Sequence, residues 1–249
     1  MKLNYRIQGN GPIIVLIHGL FGTLDNLGVL ARDLQHDFQT LQVDLRNHGL
    51  SPHSSEVSYR SMAEDLLSLF DRLDMHDISV VGHSMGGKVA MMLTELAPKR
   101  ISRLVIIDIA PVAYQERQHD EVFAALNAVA QSNVTRRTQA AEIMKPFGLH
   151  NDVIQFLLKS FHEGEWRFNV PALEQHYDEI IGWKEVNEWN KPVMFIRGER
   201  SAYIQDGFRP AIARQFPMAR AYVAAGCGHW IHAEKPQLVI RVIRKLLQP

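Results

Sequence analysis

The sequence predicts an α/β fold: a mostly parallel sheet flanked by helices, with a helical insertion over one end. Three observations predict it. Short apolar runs alternate with segments of helical spacing, the pattern of strand and crossover. Several of those runs are apolar throughout, which suits parallel strands covered on both faces. Between Pro111 and Asn190 the alternation stops and only helix-like spacing remains.

LNYRIQG (3–9) opens the sheet at an antiparallel edge. IIVLI (13–17), TLQV (40–43), ISVV (78–81), RLVII (103–107), PVMFI (192–196) and AYVA (221–224) follow as strands. SMAEDLLSLFDRL (61–73) and PQLVIRVIRKLL (236–247) carry apolar residues at helical spacing. The interrupted region holds EVFAALNAVA, RRTQAAEIMK, DVIQFLLKSF and PALEQHYDEIIGW, the last with Pro171 suited to a first turn. The expected division is a core of residues 1–111 and 191–249 and a helical cap of residues 112–190.

Composition narrows the function classes. The 249 residues are 46% hydrophobic and 22% charged, enough apolar material for a buried core and too ordered a mix for disorder. Lys plus Arg and Asp plus Glu both number 27, so no net charge favours nucleic acid or an anionic membrane. No run is long enough to span a bilayer, and the amino terminus lacks a secretory h-region. Cys227 is the sole cysteine, so an internal disulfide is impossible and a cytoplasmic location is expected. No HExxH or paired Cys/His spacing suggests a metal.

The chemistry concentrates in three segments. In ISVVGHSMGGKVAMM (78–92) a buried strand runs into Gly82-His83-Ser84-Met85-Gly86 and then a helical pattern. That is the nucleophile elbow G-x-S-x-G in its strand–turn–helix setting. A turn so sharp crowds its own backbone, which explains the glycines, and it sets the Ser84 hydroxyl at a helix amino terminus. His83 is expected to point into packing. In IIVLIHGLFGTLDN (13–26) a strand ends at His18-Gly19. Acyl transfer builds charge on a carbonyl oxygen, and backbone N–H donors stabilise it. Met85 offers one such N–H; Leu20 is the choice for the other, with Phe21 as the alternative. In AYVAAGCGHWIHAEKP (221–236) His229 follows the last strand on a glycine-rich loop, where an imidazole can serve as base. His232 reads as a capping or packing residue and Cys227 as a small buried one.

These segments, with DLRNHGLS (44–51) between them, resemble the α/β-hydrolase family and, within it, small bacterial esterases. The resemblance covers about the whole chain. It implies an eight-stranded, largely parallel sheet and a serine hydrolase without metal or organic cofactor. It also implies that Asp44 and Arg46 brace strand ends.

The acid departs from the pattern. In most relatives it follows the strand equivalent to PVMFI, where Ser201 stands here, and a serine cannot offer negative charge to an imidazolium. Glu199 and Asp206 are close in sequence but need a shifted loop. Asp108 ends RLVII, the strand after the one feeding Ser84, and consecutive parallel strands end on one edge. Asp108 is therefore the expected acid, its bland alternative being a turn residue before Pro111.

The expected substrate is a small carboxylic ester, with an acyl thioester second. A ligand-binding receptor on the same scaffold is the alternative outside enzymes. In the cap, Phe123, Leu126, Phe156, Leu157, Phe161, Trp166 and Phe168 are candidates for an acyl pocket and equally for core. Arg117, Arg136, Arg137 and Lys145 are candidates for phosphate contacts and equally for solvated helix faces.

Overall fold

The computed structural model describes residues 1–247. The chain forms β1 (Tyr5–Gln8), β2 (Ile13–Ile17), α1 (Gly28–Leu34), β3 (Gln39–Val43), α2 (Tyr59–Arg72), β4 (Ile78–His83), α3 (Met85–Leu96) and β5 (Ile101–Ile107). It continues through α4 (Asp120–Gln131), α5 (Arg137–Met144), α6 (Asn151–Leu158), β6 (Phe161–His162), β7 (Glu165–Trp166), α7 (Val170–Gln175) and α8 (Tyr177–Ile181). It ends with β8 (Val193–Gly198), α9 (Arg209–Gln215), β9 (Ala219–Ala224), α10 (Ile231–Glu234) and α11 (Pro236–Leu247).

Alternation inside the strands sets the layers. In β2, Val15 and Ile17 join one apolar cluster while Ile14 and Leu16 join another. In β5, Leu104 and Ile106 take the first side, Val105 and Ile107 the second. The first cluster continues into α2, α3 and the inserted helices, the second into α1 and α11. A strand buried on both faces has no polar position to spare, hence its unbroken apolar run.

The sheet order is β1-β3-β2-β4-β5-β8-β9, and only β1 pairs antiparallel among the described residues. It thus has seven strands, not the eight that the resemblance implied. The sequence itself carries seven runs, and only residues 9–12 separate β1 from β2. Gly9 in that turn has φ +77°, and a Cβ there would sit 2.3 Å from the Phe38 carbonyl oxygen. A turn this tight leaves no chain for another strand.

From β2 the chain steps outward to β3 and then returns to β4 on the other side of β2. The carboxyl ends of β2 and β4 therefore flank the point where strand order reverses, the usual crevice for a ligand in an open α/β sheet.

Between β5 and β8 five helices lie together with a two-stranded hairpin, β6–β7, that the sequence did not disclose. Strands of two residues are too short to show a period. The turn between them, Glu163 at φ +51° and Gly164 at φ +92°, is all that marks the hairpin. Polar ties join this region to the sheet: the Asn169 amide donates to Asn47 Oδ1 at 3.0 Å, and Lys88 Nζ donates to the carbonyls of Ile181 and Gly182 at 3.1 and 2.9 Å. No helix of the described residues is long and apolar enough to cross a membrane.

Candidate active site

β4 is buried to its last residue, and Ser84 then takes φ 52° and ψ −122° at the head of α3. A left-handed non-glycine residue costs on the order of 1–3 kcal/mol and persists only where its neighbours enforce it. They do here. The Ser84 N–H donates to the Ile107 carbonyl at 3.0 Å, and the Ser84 carbonyl accepts from the N–H groups of Gly87 and Lys88 at 2.8 and 3.2 Å. The two glycines of the elbow have different reasons. A Cβ on Gly82 would lie 2.2 Å from the Gly86 carbonyl oxygen, the expected self-collision. A Cβ on Gly86 would instead strike the carbonyl oxygens of Ile17 and His18, both at 2.4 Å. Gly86 is thus what lets the elbow press against the end of β2.

That contact sets Ser84 beside the loop after β2, where the two oxyanion candidates separate. The Phe21 N–H is committed, donating to His48 Nε2 at 3.2 Å. Leu20 N–H and Met85 N–H make no hydrogen bond among the described residues. The committed imidazole is itself fixed: His48 Nδ1–H donates to the Arg46 carbonyl at 2.9 Å, and burial pushes the ring down to about 3, so it stays neutral. His18 is held in the same tautomer, accepting from Leu45 N–H at Nε2 (3.1 Å) and donating from Nδ1 to the Gly19 carbonyl (2.8 Å). Asp44 accepts from the N–H groups of Leu24 and Leu50 at 2.7 and 2.9 Å, and Arg46 pairs with Asp65 at 2.6 Å. Both brace the loops around the strand ends.

Asp108 stands one strand over. It is wholly buried, at φ 55°, immediately after β5. His229 Nδ1 lies 2.7 Å from Asp108 Oδ2. The Gly198 N–H donates to Oδ1 at 2.9 Å, and the Ser201 hydroxyl donates to Oδ2. Ser201, in the slot where the resemblance placed an acid, is thereby turned toward Asp108. Glu199 and Asp206 are engaged elsewhere, Glu199 accepting from Gly226 N–H at 2.7 Å and Asp206 pairing with Arg197 and Arg209 at 3.3 and 3.0 Å.

The structure brings Ser84, His229, Leu20 and Met85 to one cavity of about 340 Å³, with Asp108 behind the imidazole. No hydrogen bond joins the imidazole to the Ser84 hydroxyl among the described residues, and such contacts commonly tighten only with substrate bound. Tyr203, which sequence reasoning passed over, stacks on the His229 ring at 4.1 Å and 27°. His83 Nε2–H donates to the His229 carbonyl at 3.0 Å, and its ring packs 4.8 Å from the His229 ring rather than taking its place. Burial and the neighbouring rings of His232 and His229 hold His83 well below its usual range. His232 packs on His83 at 4.3 Å, and Cys227 is buried in the second cluster.

The cap contributions differ from the expected set. Phe156 and Leu157 line the cavity; Phe123, Leu126, Phe161 and Phe168 are core, and Trp166 packs against it. His119 and Tyr177, not singled out from the sequence, face each other in the lining with Nδ1 2.5 Å from the phenol oxygen. No lysine or arginine lines the cavity, and Glu116 is its one carboxylate. Arg117 pairs with Asp120 and Asp178, Arg137 donates to the Phe161 carbonyl, and Lys145 pairs with Glu142.

An elbow serine, an imidazole and two free N–H groups at the switch point of an α/β sheet define a hydrolase of the α/β class. The chain belongs to the alpha/beta hydrolase fold family, whose model matches residues 12–236. It is 54% identical to Esterase YbfF of Escherichia coli (strain K12), across 99% of both chains. It is 36% identical to the sn-1-specific diacylglycerol lipase ABHD11 of Mus musculus, over 91% of this chain and 78% of that protein. A solved structure titled Marine microorganism esterase superposes with a TM-score of 0.94 at 32% identity, covering 99% of each chain.

Proposed function

We propose that the protein is a serine carboxylesterase that works through an acyl-Ser84 intermediate. The observation that carries this is the 2.7 Å contact of His229 Nδ1 with Asp108 Oδ2, behind an imidazole that shares its cavity with an elbow serine. His229 Nε2 accepts the Ser84 proton as the oxygen attacks the acyl carbonyl. Asp108 holds the ring in the Nδ1–H tautomer and offsets the charge the ring then carries. The N–H groups of Leu20 and Met85 bind the oxyanion, each contributing about 3 kcal/mol of barrier lowering. The imidazolium returns its proton to the leaving alcohol. Water, deprotonated by the same ring, then releases the acid and restores Ser84.

The acyl group enters beside Phe156, Leu157 and Trp230 as a neutral chain, because no cation lines the cavity to meet a second carboxylate. Residues 112–190 act as the cap that encloses it. The names of the relatives support an ester rather than a thioester, and a mammalian relative's name brings glycerolipid esters into the range to be tested.

The decisive measurement is hydrolysis of matched ester and thioester series by wild type and Ser84→Ala, with mass spectrometry after an organophosphonate. Ester turnover that vanishes in the variant, with the adduct on Ser84, is the expected result. Full turnover by Ser84→Ala would sink the mechanism, and ligand binding without turnover in wild type would favour a receptor.

A further inference from the structure

The turn that carries Leu20 is held from two sides. Gly22 N–H donates to the Gly19 carbonyl at 3.0 Å, so residues 19–22 form a tight turn with Leu20 and Phe21 at its centre. Phe21 sits at φ 62° and Leu20 lies outside the left-handed region, the pattern of a type II turn, which favours glycine where Phe21 stands. Turning over the peptide between Leu20 and Phe21 would give the type I form, relieve Phe21 and move the Leu20 backbone. One bond opposes this: Phe21 N–H donates to His48 Nε2 at 3.2 Å. His48 is fully buried with its Nδ1–H fixed on the Arg46 carbonyl at 2.9 Å, so the lone pair at Nε2 has one direction. The second hold comes from residues 112–190. Phe168 forms an antiparallel bridge with His48 itself. Beside it, Asn169 N–H donates to the Asn47 carbonyl at 2.9 Å and its side-chain amide to Asn47 Oδ1 at 3.0 Å. The Phe168 ring lies 5.0 Å from the Phe21 ring, and the Ser160 hydroxyl donates to the Phe21 carbonyl at 3.4 Å.

We propose that His48 is a positioning residue for the oxyanion hole and that Phe168–Asn169 keys it in place, so that seating residues 112–190 and assembling the hole are one event. This rests on the hole proposed above, with Leu20 N–H as a donor. A donor stabilises developing charge to the extent that it is fixed before the charge appears. His48 fixes this one by accepting from the next N–H along, which denies the turn its less strained form. Burial keeps the ring neutral, so Nε2 stays an acceptor. The bridge to Phe168 and the Asn169 bonds then hold the backbone on which the ring is mounted. His48 touches no reacting atom. Its effect therefore belongs in turnover and in affinity for a tetrahedral oxyanion, not in affinity for the ester.

The test reads kcat and KM on a short p-nitrophenyl ester, and inhibition by an alkyl trifluoromethyl ketone. The ketone carbon bonds the Ser84 oxygen as its proton passes to His229, leaving an oxyanion in the hole. Each variant of the full chain is checked for folding by its melting curve. His48→Leu is expected to lower kcat about a hundredfold and to weaken the ketone by a similar factor, with KM within about twofold. His48→Gln, whose side-chain oxygen can accept from Phe21 N–H, is expected to recover at least about tenfold of that loss. Asn169→Ala is expected to lower kcat and ketone affinity together by about fivefold, and to have no further effect in the His48→Leu background. Asn127→Ala, which frees Glu174 elsewhere in the inserted helices, should change neither. Wild-type kcat in a folded His48→Leu overturns the proposal, as does an Asn169→Ala effect that adds in full to it. Should His48→Leu not fold, unchanged ketone inhibition in Asn169→Ala overturns it alone. Leu20→Pro separates the two ideas, because proline suits the second position of a type II turn and deletes only the N–H. If it loses about a hundredfold while His48→Leu is unimpaired, only the role of His48 fails. If it is fully active, the hole as drawn fails, and the proposal with it.

Discussion

The rim of the sheet and the region between β5 and β8 solve different problems. At the rim each residue near Ser84 is held by several short, directional bonds: Asp108 accepts from three donors, and His18 and His48 use both ring nitrogens on backbone groups. Ser84, Phe21 and Asp108 all sit at positive φ there. Across residues 112–190 the helices run from five to twelve residues, and their buried apolar side chains join the same cluster as those of α2 and α3. The rim thus stores strain and spends hydrogen bonds on holding it, while residues 112–190 join the core through apolar packing and ties such as Asn169 to Asn47. Chemistry demands geometry good to fractions of an ångström, whereas enclosing an acyl chain demands only apolar surface of roughly the right shape.

The largest expected effect breaks the rim at its deepest point. Asp108→Asn keeps the shape but offers the imidazole an amide, so His229 loses both its charge partner and its enforced tautomer. The expected fall in kcat is about 10⁴-fold, near 5.5 kcal/mol. Glu199→Gln and Asp206→Asn should each stay within about threefold of wild type, because their carboxylates bond elsewhere. Steady-state kinetics on one ester decides it. A dead Glu199→Gln beside an active Asp108→Asn would return the acid to the loop after β8.

Acid should loosen the rim next. Burial holds His48 and His232 at about 3 and His119 at about 4, and it also lowers His18 and His83. These folded-state values lie below the unfolded value near 6.5. Between roughly pH 6.5 and 3 the unfolded chain therefore takes up protons that the native state refuses. The stability these rings allow is complete above pH 6.5 and is lost as pH falls toward 3. Each ring costs up to about 1.4 kcal/mol per pH unit below 6.5, so the group together costs several kcal/mol by pH 5. Four of the five lie at the rim and one in the cap, so the loss is chiefly the rim's. Melting curves at pH 7 and pH 5 should differ by ten degrees or more, about 2–4 °C per kcal/mol for a chain of this size. A flat profile over that range would mean these rings are not held neutral.

What could be seen in the sequence divides along the same line. The strands were visible because burial on both faces leaves unbroken apolar runs such as IIVLI, and the elbow because the G-x-S-x-G string sits between a buried run and a helical pattern, with Gly82 answering a collision inside the turn. Asp108 could be singled out since crossover handedness puts neighbouring strand ends together. The Phe21 N–H bonded to His48, the Ser201 hydroxyl turned to Asp108 and the Tyr203 ring on His229 all join residues 26 to 93 positions apart, and no periodicity encodes them. In the cap, helical spacing marked apolar residues but could not tell a core face from a cavity face. Phe156 and Phe123 look alike in sequence and end on opposite sides of that division.

Lys88 supplies one of the polar ties between α3 and residues 112–190, and it gives the smallest effect with the sharpest reading. It lies one turn beyond Ser84 on α3 and is fully buried, donating to the carbonyls of Ile181 and Gly182 where α8 ends. The faces of Tyr114 and Tyr59 lie 4.8 and 5.5 Å from its nitrogen. A cation at a helix carboxyl end is favourable, but burying an ammonium is costly, and burial pushes Lys88 down to about 7. Lys88→Met keeps the volume, removes both the donor and the desolvation cost, and leaves the Gly182 carbonyl without its donor, while the Ile181 carbonyl keeps the Tyr114 N–H at 2.9 Å. The net loss expected is about 1–3 kcal/mol, or roughly 2–10 °C in melting temperature. Because the unfolded lysine keeps its proton to about 10.4 and the native one does not, wild type should gain on the variant as pH rises from about 7 toward 10. Trypsin should also cut sooner at Arg136 and Arg137 in the variant, since Lys88 ties the end of α8 to α3. Equal melting temperatures and equal cleavage would show that the Lys88 tie adds nothing to the hold on residues 112–190.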